Sequence, residues 1–436
     1  MYALVPLTQS AVIHQMFKSH VEAMSQPEMK KERVAIINRK LLLVETVIDE
    51  TTTVETLTGS RTIVSTQADG IGAVAIPSEV NDVTVDQFFN VKPGDLLVVV
   101  GGTNVNLGTY PVLTVPTVNQ LTVTGAIFTG TSTDLQYYIV RPDGLSADGL
   151  SFYDRNATFL SNNVAAGQYL KILAGPYLGR YKLAGVVSEK EVTLAAAVNG
   201  VLTAIHPLTY LVDRDMSKTE QATFIKGYSS AFASRRVVNL WSDILETPVG
   251  QTIEDLPGFY GSCAIGAITT GLPTQQGFTN LSISGFLGLK HSSGYFNDTQ
   301  LNIMADGGTM ILAQDVQEAP LYIRHQLTTD RSAIKFQEFS VTKNVDFIAK
   351  FLRNAYRGFP GRYNIIDTTL DELRTVAKAV ISFLKDDTRL TRIGGVIRSG
   401  ALVSLVESAT QIDTVKMRFK FDIPIPLNNL DITIEV

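Results

Sequence analysis

The sequence has a single cysteine, Cys263, among its 436 residues, so it cannot form an internal disulfide and its fold does not depend on an oxidising compartment. It has only five histidines, and they show no metal-ligand spacing such as HExxH. These are His14, His20, His206, His291 and His325. The sequence therefore predicts no metal site, and the apolar surroundings of His325 favour a structural role for it.

An excess of positive charge is also missing. The chain carries 37 lysines and arginines against 42 acidic residues, a formal net charge of −5, so a primary nucleic-acid partner is not expected. The longest apolar runs, such as 96–100, fall far below the ~18 residues that a membrane span requires. The N-terminus lacks the pattern of a signal peptide. We therefore predict a protein that is neither secreted nor inserted in a membrane.

Motifs of catalytic sites are incomplete. The stretch GIGAVA at 70–75 and the glycine pairs of the chain do not complete GxGxxG or GxxxxGK[ST], so turns are the better interpretation. Ser262 and Ser284 lie near glycines, but neither stands in the GxSxG motif of hydrolases. We predict no catalytic residue and no cofactor, and expect that the chain is not an enzyme.

The sequence does have enough apolar material for several cores. Apolar residues make up 45% of the chain and charged residues 18%, and the length predicts about two to four domains. The fold class that we predict is mixed α+β with several domains. We expect a helix and strand region at 1–81, β-rich domains at 82–145 and 146–216, an α/β core at 217–414 and C-terminal strands at 415–436.

The β-rich region contains an internal duplication. Its turn signals recur every several residues between runs rich in Val, Leu, Thr and Tyr, which predicts short antiparallel strands. Similar residues recur at offsets of 73, 71, 71 and 72, in the pairs Gly94 and Gly167, Gly108 and Gly179, Leu121 and Val192, and Tyr138 and Tyr210. A period this long suits two tandem small β-barrels or β-sandwiches rather than a solenoid.

Helix signals resume at Ser217. Ser217 and Glu220 have the spacing of a capping box, and the run 237–241 reads as a short buried strand, so an α/β layer is predicted. Thr369 and Glu372 repeat the capping-box spacing ahead of a later helix. Another helix is predicted by an apolar stripe at Val345, Ile348, Leu352 and Ala355.

The end of the sequence alternates strictly between apolar and polar residues, with a restart after Pro426. Such a pattern predicts half-buried strands, and a terminal strand with an open edge invites pairing with another chain. We therefore predict intersubunit contacts for the apolar positions of both strands, which are Val415, Met417, Phe419, Phe421, Leu430, Ile432, Ile434 and Val436.

From Ser217 onward, several segments follow one another in an order typical of one protein family. They include Ser234-Arg235-Arg236 before the strand 237–241, LPGFYGSCAIGAITTGLPTQQGFTN, Tyr322-Ile323-Arg324 with Thr328-Thr329-Asp330, EFSVTKNVDFIAKFLRNAYRGFPG and the terminal FKFDIPIPLNNLDITIEV. Over roughly half the chain, this order resembles the tail sheath proteins of contractile phages and the related contractile injection machines.

The resemblance implies an α/β sheath core with inserted β-rich domains, and terminal arms that add strands to a sheet in a neighbouring subunit. It implies a homo-oligomer, a helical polymer of hexameric rings around a tail tube protein, with baseplate and tail terminator proteins as further partners. Arg353, Arg357 and Arg362 are then candidates to face the tube or another acidic partner. For the two that flank GFPG, solvated turn residues are an equal alternative.

One part of the sequence departs from the family. The usual extended arm and glycine-rich first half of the core are not recognisable before residue 45. Either residues 1–60 perform that task in a diverged form, or a second sheath-like chain contributes the missing half.

The function that we predict is that of a contractile sheath subunit in a bacteriophage virion. It would be assembled in the host cytoplasm and contract during viral genome ejection. The alternatives are another virion component, such as a baseplate, tail terminator or decoration protein, and, with less support, a carbohydrate-binding protein that uses the β-rich region.

Overall fold

The computed structural model describes residues 2–53, 61–84, 86–146, 149–174, 177–198, 208–242, 244–249, 252–290, 295–316, 319–385, 395–426 and 428. The fold is mixed α+β, as the sequence predicts. It divides into two compact units. Unit 1 contains Met1–Leu42 and Ser217–Val436, and unit 2 contains Leu43–Met216, so the sequence of unit 2 is inserted into that of unit 1.

Unit 1 is built on a six-stranded mixed sheet. Its strands in spatial order are β1 (Ala3–Leu4), β2 (Val34–Ile37), β16 (Val237–Trp241), β21 (Thr309–Ala313), β22 (Leu321–Ile323) and β19 (Ser282–Ile283). The first four are parallel and the last two pair antiparallel. Every residue of β2, β16 and β21 is buried, as expected for parallel strands covered on both faces. The N-terminal residues thus supply two strands to the core of their own chain.

Helices cover both faces of this sheet. Ile36 and Leu240 pack with Ile265 on one face, whereas Trp241 packs with Ala222 on the other. Alternate residues of each strand therefore enter different cores. The helices of unit 1 are α1 (Ala11–Met24), α2 (Lys218–Ser230), α3 (Phe259–Gly271), α4 (Asp298–Asp306), α5 (Ile334–Gln337), α6 (Phe339–Ala355) and α7 (Asp367–Lys385).

One predicted helix start is confirmed and one is wrong. The Ser217 hydroxyl accepts the Glu220 N–H at 3.3 Å, and the Glu220 carboxylate accepts the Ser217 N–H at 2.8 Å, which completes the predicted capping box. The box predicted at Thr369 and Glu372 does not form. Because α7 already starts at Asp367, both residues lie inside the helix.

Two small sheets complete unit 1. One has the order β18 (Thr252–Pro257), β17 (Ile244–Val249) and β20 (Gly288–Leu289). The other is an antiparallel hairpin of β23 (Ser399–Glu407) and β24 (Val415–Asp422).

Unit 2 contains a closed barrel, which we name the first β-domain. Its strands are β4 (Arg61–Gly72), β5 (Ser78–Asp82), β6 (Leu96–Gly101), β7 (Gly108–Thr117), β8 (Gln120–Val123) and β9 (Ser132–Arg141), in the spatial order β4-β5-β8-β7-β6-β9. β4 closes the barrel because it pairs with both β9 and β5. The barrel starts ahead of the boundary predicted at residue 82, since the duplicated sequence pattern is visible only from Gly94.

The second β-domain is an antiparallel sheet around a separate core. Its strands are β3 (Val44–Thr53), β10 (Gly144–Leu145), β11 (Ser151–Tyr153), β12 (Tyr169–Ile172), β13 (Gly179–Ser188), β14 (Glu191–Leu194) and β15 (Leu208–Asp215). Their spatial order is β10-β11-β14-β13-β12-β15-β3.

The two β-domains share one strand order, in agreement with the duplicated sequence. β5-β8-β7-β6-β9 in the first matches β11-β14-β13-β12-β15 in the second. β3 takes the place of β4, because Thr51 pairs with Tyr210 as Gln67 pairs with Tyr137. Tyr210 therefore corresponds to Tyr137, so the sequence-based pairing of Tyr210 with Tyr138 is wrong by one residue. The first β-domain is therefore inserted between β3 and the rest of the second, so the arrangement is nested rather than tandem.

Candidate functional site

The C-terminal segments singled out by the sequence meet in one place, the C-terminal lobe, which consists of the second half of α6, α7, β23 and β24. Its core contains Ile348, Val380, Leu384 and Val396. The first half of α6 belongs instead to the core of the six-stranded sheet, where Phe339 is fully buried. Helix α6 therefore connects the lobe to the main core.

The hairpin β23–β24 is the outer layer of this lobe. β24 pairs with β23 from Val415, opposite Glu407, to Asp422, opposite Ser399. The apolar positions from Val415 to Phe421 are half-buried and the charged residues between them are exposed, so the predicted half-buried strand is confirmed. Among the described residues the hairpin has only two strands, and the outer edge of each lacks a ladder partner.

The predicted intersubunit positions fall into two groups. Val415, Met417, Phe419 and Phe421 lie on the half-buried side of β24, and Phe419 and Phe421 stack with ring centroids 5.7 Å apart. Phe421 packs against the core of its own lobe. The second group lies outside the described residues and comprises Leu430, Ile432, Ile434 and Val436.

The three candidate arginines have different surroundings. Arg353 forms an ion pair with Glu32 of the same chain at 2.5 Å, and the Glu32 side chain is 7% exposed. Burial would raise the pKa of Glu32, but the hydrogen bond and charge of Arg353 lower it overall. Arg357 and Arg362 are exposed on either side of the turn 358–361. Arg357 and Arg362 are therefore exposed, whereas Arg353 is half-buried in a pair within its own chain.

A groove of about 690 Å³ runs beside this turn. Tyr363 and Ile366 are each 56% exposed in this region, and Ile412 is 97% exposed at its rim. The groove combines residues of the turn, the start of α7 and the β23–β24 connection, including Tyr356, Phe359, Leu370, Ile412 and Met417. Sequence reasoning missed this groove, since its walls come from three separate segments.

The exposed face of the hairpin is basic. Lys416, Arg418 and Lys420 alternate along β24 with their side chains in solvent. On β23, Val406 lies opposite Lys416 and Ala401 lies opposite Lys420, so short apolar residues flank this stripe. The alternation of apolar and charged residues at 415–421 already predicts this charged side of the strand.

A buried polar network ties the N-terminus to α6. Arg236 forms an ion pair with Asp346, and the Tyr2 hydroxyl donates to the same carboxylate at 2.8 Å. Burial and the Asp346 charge raise the pKa of Tyr2 well above its usual value. Burial alone would lower the pKa of Arg236, but Asp346 raises it overall. The sequence gives no signal for Asp346, because it lies between apolar residues of an amphipathic helix.

The described residues contain no group of three or more His, Cys, Asp or Glu side chains that could hold a metal ion. His325 instead contacts the buried Glu338 carboxylate at 2.8 Å. Within the described part of the chain, no helix is long and apolar enough to cross a membrane.

No family model matches the sequence, and no curated protein matches it either. Solved structures do match. The structure is similar to those of contractile sheath proteins. It matches a chain in the baseplate of the anti-feeding prophage at 10% identity and a TM-score of 0.37, over 47% of this chain and 55% of that one. It also matches a chain of the sheath complex of an extracellular contractile injection system, PVC, in its contracted state. The identity is 10% and the TM-score 0.38, over 48% of this chain and 59% of that one.

A third match, the sheath tail protein of Desulfitobacterium hafniense, has 9% identity and a TM-score of 0.31, over 83% of this chain and 78% of that one. The first two likenesses span little more than half the length of the matched chains. All three TM-scores are below 0.5.

Proposed function

We propose that this chain is the structural subunit of a contractile tail sheath. It polymerises as a helical lattice of hexameric rings around a tail tube, and the lattice contracts to drive the tube through a host envelope. The observation that carries this proposal is the hairpin β23–β24, whose two outer edges have no ladder partner among the residues that the structure describes.

A two-stranded sheet is marginally stable by itself, and its open edges present unpaired N–H and C=O groups. Strands from neighbouring copies satisfy those groups by β-augmentation, in which main-chain hydrogen bonds supply affinity and side-chain pockets supply specificity. The sequence 430–436 alternates Leu, Ile, Ile and Val with Asp, Thr and Glu, a pattern suited to such an added strand. The same chain therefore has both an acceptor edge and a donor sequence.

The charges support an acidic partner at the lobe. Arg357 and Arg362 are exposed, and Lys416, Arg418 and Lys420 form a stripe on the hairpin. Complementary charge at an interface fixes register and accelerates encounter more than it adds affinity. In our proposal the two arginines meet the tail tube, and the stripe meets the acidic positions of an added strand.

Contraction requires two packings of the same subunits whose interface free energies differ, with added strands keeping neighbours linked as they slide. The assembled protein is a virion component that acts in genome ejection. Its partners are copies of itself, tube, baseplate and tail terminator proteins. Residues 2–37 supply β1 and β2 to the six-stranded sheet of their own chain, which supports the alternative in which residues 1–60 perform the task of the missing half.

Electron microscopy of the purified chain, with sedimentation for the polymer and circular dichroism for the fold, tests the proposal. Wild type should form helical tubes. Ile434→Asp should abolish them with an unchanged spectrum, because a carboxylate buried without a partner costs several kcal/mol at every contact. Thr433→Asp, on the opposite side of the alternating sequence, is the matched control and should still polymerise.

Two outcomes would reject the proposal: polymerisation as efficient as wild type after removal of 430–436, or closed particles without tubes under every condition. Copy number separates a sheath from a baseplate, terminator or decoration protein. A sheath should be about as abundant in particles as the tube and major capsid proteins.

A further inference from the structure

Asn428 lies six residues beyond β24, and side chains of the main core bind its amide group. The Thr279 hydroxyl donates to Asn428 Oδ1 at 2.8 Å. Asn428 Nδ2 lies 3.0 Å from Glu338 Oε1 and 3.1 Å from His325 Nε2. Both ends of one side-chain amide are thus bound, which is how a site distinguishes asparagine from an apolar residue or a carboxylate.

Groups other than Asn428 also hold the carboxylate at the centre of this site. Glu338 is 2% exposed, and its second oxygen accepts from Gln326 Nε2 at 3.2 Å. The main chain fixes it as well, since Leu327 and Glu338 form an isolated bridge and the Phe339 N–H donates to the Gln326 carbonyl at 3.0 Å. A buried carboxylate with its donors in place is a strong acceptor for an amide N–H.

The proton positions follow from the distances. His325 Nε2 lies 2.8 Å from Glu338 Oε1, and two bare acceptors would repel each other at that separation. Nε2 therefore carries a proton and donates to Glu338. Asn428 Nδ2 then donates to the same carboxylate, and His325 lies against the amide without accepting from it.

The chain that carries Asn428 also fits closely. A Cβ on Gly277 would lie 3.2 Å from Gln326 Nε2 and 3.4 Å from Pro426 Cβ, so the absence of a side chain at 277 allows both groups to approach closely. Pro424 and Pro426 restrict their own backbone and that of the preceding residues to extended conformations. Little conformational entropy is therefore lost when the segment is held.

We propose that Thr279, His325 and Glu338 form a clasp for Asn428, which holds residues 423–426 and Asn428 against the core of their own chain. One consequence rests on the proposed function. In a polymer linked by the sequence after Asn428, the position of Asn428 limits which neighbour that sequence can reach. The clasp itself is a property of the unassembled chain, so it is tested without polymer.

Disulfide trapping tests the clasp directly. Cys263→Ser removes the one native thiol, and Gly277→Cys with Pro426→Cys then places two Cβ atoms at close to disulfide separation. Mild oxidation of the unassembled chain should give a fast-migrating monomer with an internal crosslink. Gly277→Cys with Ile412→Cys, a fully exposed position, is the control pair and should crosslink at least tenfold more slowly.

Variants of the clasp then identify its chemistry. Asn428→Asp sets two carboxylates against each other and should slow the 277–426 crosslink at least tenfold, while Asn364→Asp, an exposed control, should not. Adding Glu338→Gln to Asn428→Asp exchanges the amide and the acid, and should restore the rate to within about threefold of the parent. A general packing defect would not be rescued in this way.

Three results would overturn the inference. They are a crosslink between two chains instead of within one, a rate unaffected by Asn428→Asp, and a folded double variant that stays as slow as Asn428→Asp alone. None of them depends on polymerisation, so loss of the clasp and loss of the sheath function are separate outcomes.

Discussion

The two β-domains of unit 2 have the same strand order but complete it differently. In the first, a single long strand, β4, closes the barrel against β5 and β9. In the second, that strand is divided between β3 and β10, and β3 precedes the whole first domain in sequence. The first domain is thus contiguous in the chain, whereas the second depends on a segment about 90 residues away from the rest of its sheet.

Their cores have nevertheless kept the same polar pair. The Tyr137 hydroxyl donates to the buried Asp82 carboxylate, and the Tyr210 hydroxyl donates to Asp154 at 2.7 Å. Each tyrosine ring also packs on a phenylalanine, at centroid distances of 6.0 and 6.4 Å. A satisfied buried polar pair specifies the packing around it. The duplication therefore preserved the core, while the source of the closing strand changed.

The largest expected effect comes from cutting the two domains apart. Residues 61–141 should fold alone and melt cooperatively, because all six strands of the barrel lie within them. Residues 144–216 should not fold, because they lack β3. Val47 and Ile48 of β3 pack half-buried against the second core, which is worth about 1–3 kcal/mol, and without β3 the strand β15 also loses its ladder partner. Together these losses are a large fraction of the stability of a domain this size.

Circular dichroism of both fragments makes the comparison. As a control, fusing residues 43–53 to 144–216 through a flexible linker should restore a cooperative transition. If 144–216 melts cooperatively without β3, the proposed dependence on the distant strand is wrong.

Periodic and local features of the fold can be predicted from the sequence, whereas pairings between distant segments cannot. The two β-domains show both cases. The repeat from Gly94 to Tyr210 is visible because like residues recur at nearly constant offsets. The alternation of β24 is visible for the same reason. The assignment of β3 to β15 is not, since a Thr-rich extended stretch matches many possible partners equally well.

In the candidate site, too, local features are predictable from the sequence and contacts between distant residues are not. Exposed Arg357 and Arg362 follow from a turn signal, but the pairing of Arg353 with Glu32 joins residues 321 apart in sequence. The buried pair of Arg236 and Asp346 and the clasp of Asn428 are equally non-local. Contacts between distant segments depend on the tertiary fold, which no single-sequence pattern encodes.

The next largest effect concerns the junction between the two domains. Arg141 is buried between Asp95 of the first domain, at 2.7 Å, and Glu191 of the second, at 3.1 Å. Arg141→Met removes the cation from the buried Asp95 carboxylate and one cation from Glu191, which Lys92 Nζ also contacts at 3.3 Å. It should cost about 3–5 kcal/mol in urea unfolding of the full chain. In the fragment 61–141, which lacks Glu191, the cost should be clearly smaller.

The pH dependence of Arg141→Met gives a second check. Burial raises the pKa of Asp95, and Arg141 opposes that rise. Without Arg141, the pKa of Asp95 in the native state rises further above its value in the unfolded state. Protonation of Asp95 as the pH falls therefore stabilises the native state of the variant, and the stability that Arg141→Met costs should shrink. Lys171→Met, at an exposed position, should change stability by less than about 0.5 kcal/mol. A cost equal in fragment and full chain would mean that Glu191 contributes nothing.

A smaller effect tests whether the repeated Tyr–Asp pair contributes equally to the free energy of unfolding in both domains. Tyr137→Phe and Tyr210→Phe each remove one donor from a buried aspartate, and each should cost about 1–3 kcal/mol. Because Asp82 and Asp154 also each accept the N–H two residues further on, the two costs should agree within about 0.5 kcal/mol. Tyr138→Phe, at a half-buried neighbour, is the control. A twofold difference between the pair would show that the cores have diverged.

The smallest effect comes from the turn glycines that precede the equivalent strands β6 and β12. Gly94 has φ of +94° and Gly167 has φ of +90°, a region that side chains disfavour. A Cβ on Gly167 would meet nothing within 4 Å, so Gly167→Ala should cost only the backbone strain, about 1–2 kcal/mol, and Gly94→Ala should cost the same or more. Gly227→Ala, in α2 with equally open space and no left-handed φ, should instead stabilise by up to about 1 kcal/mol. Midpoints of urea unfolding at constant slope measure all three. If Gly167→Ala is neutral, the turn has relaxed to another conformation, and the backbone equivalence of the two domains fails at the position where the sequence repeat is clearest.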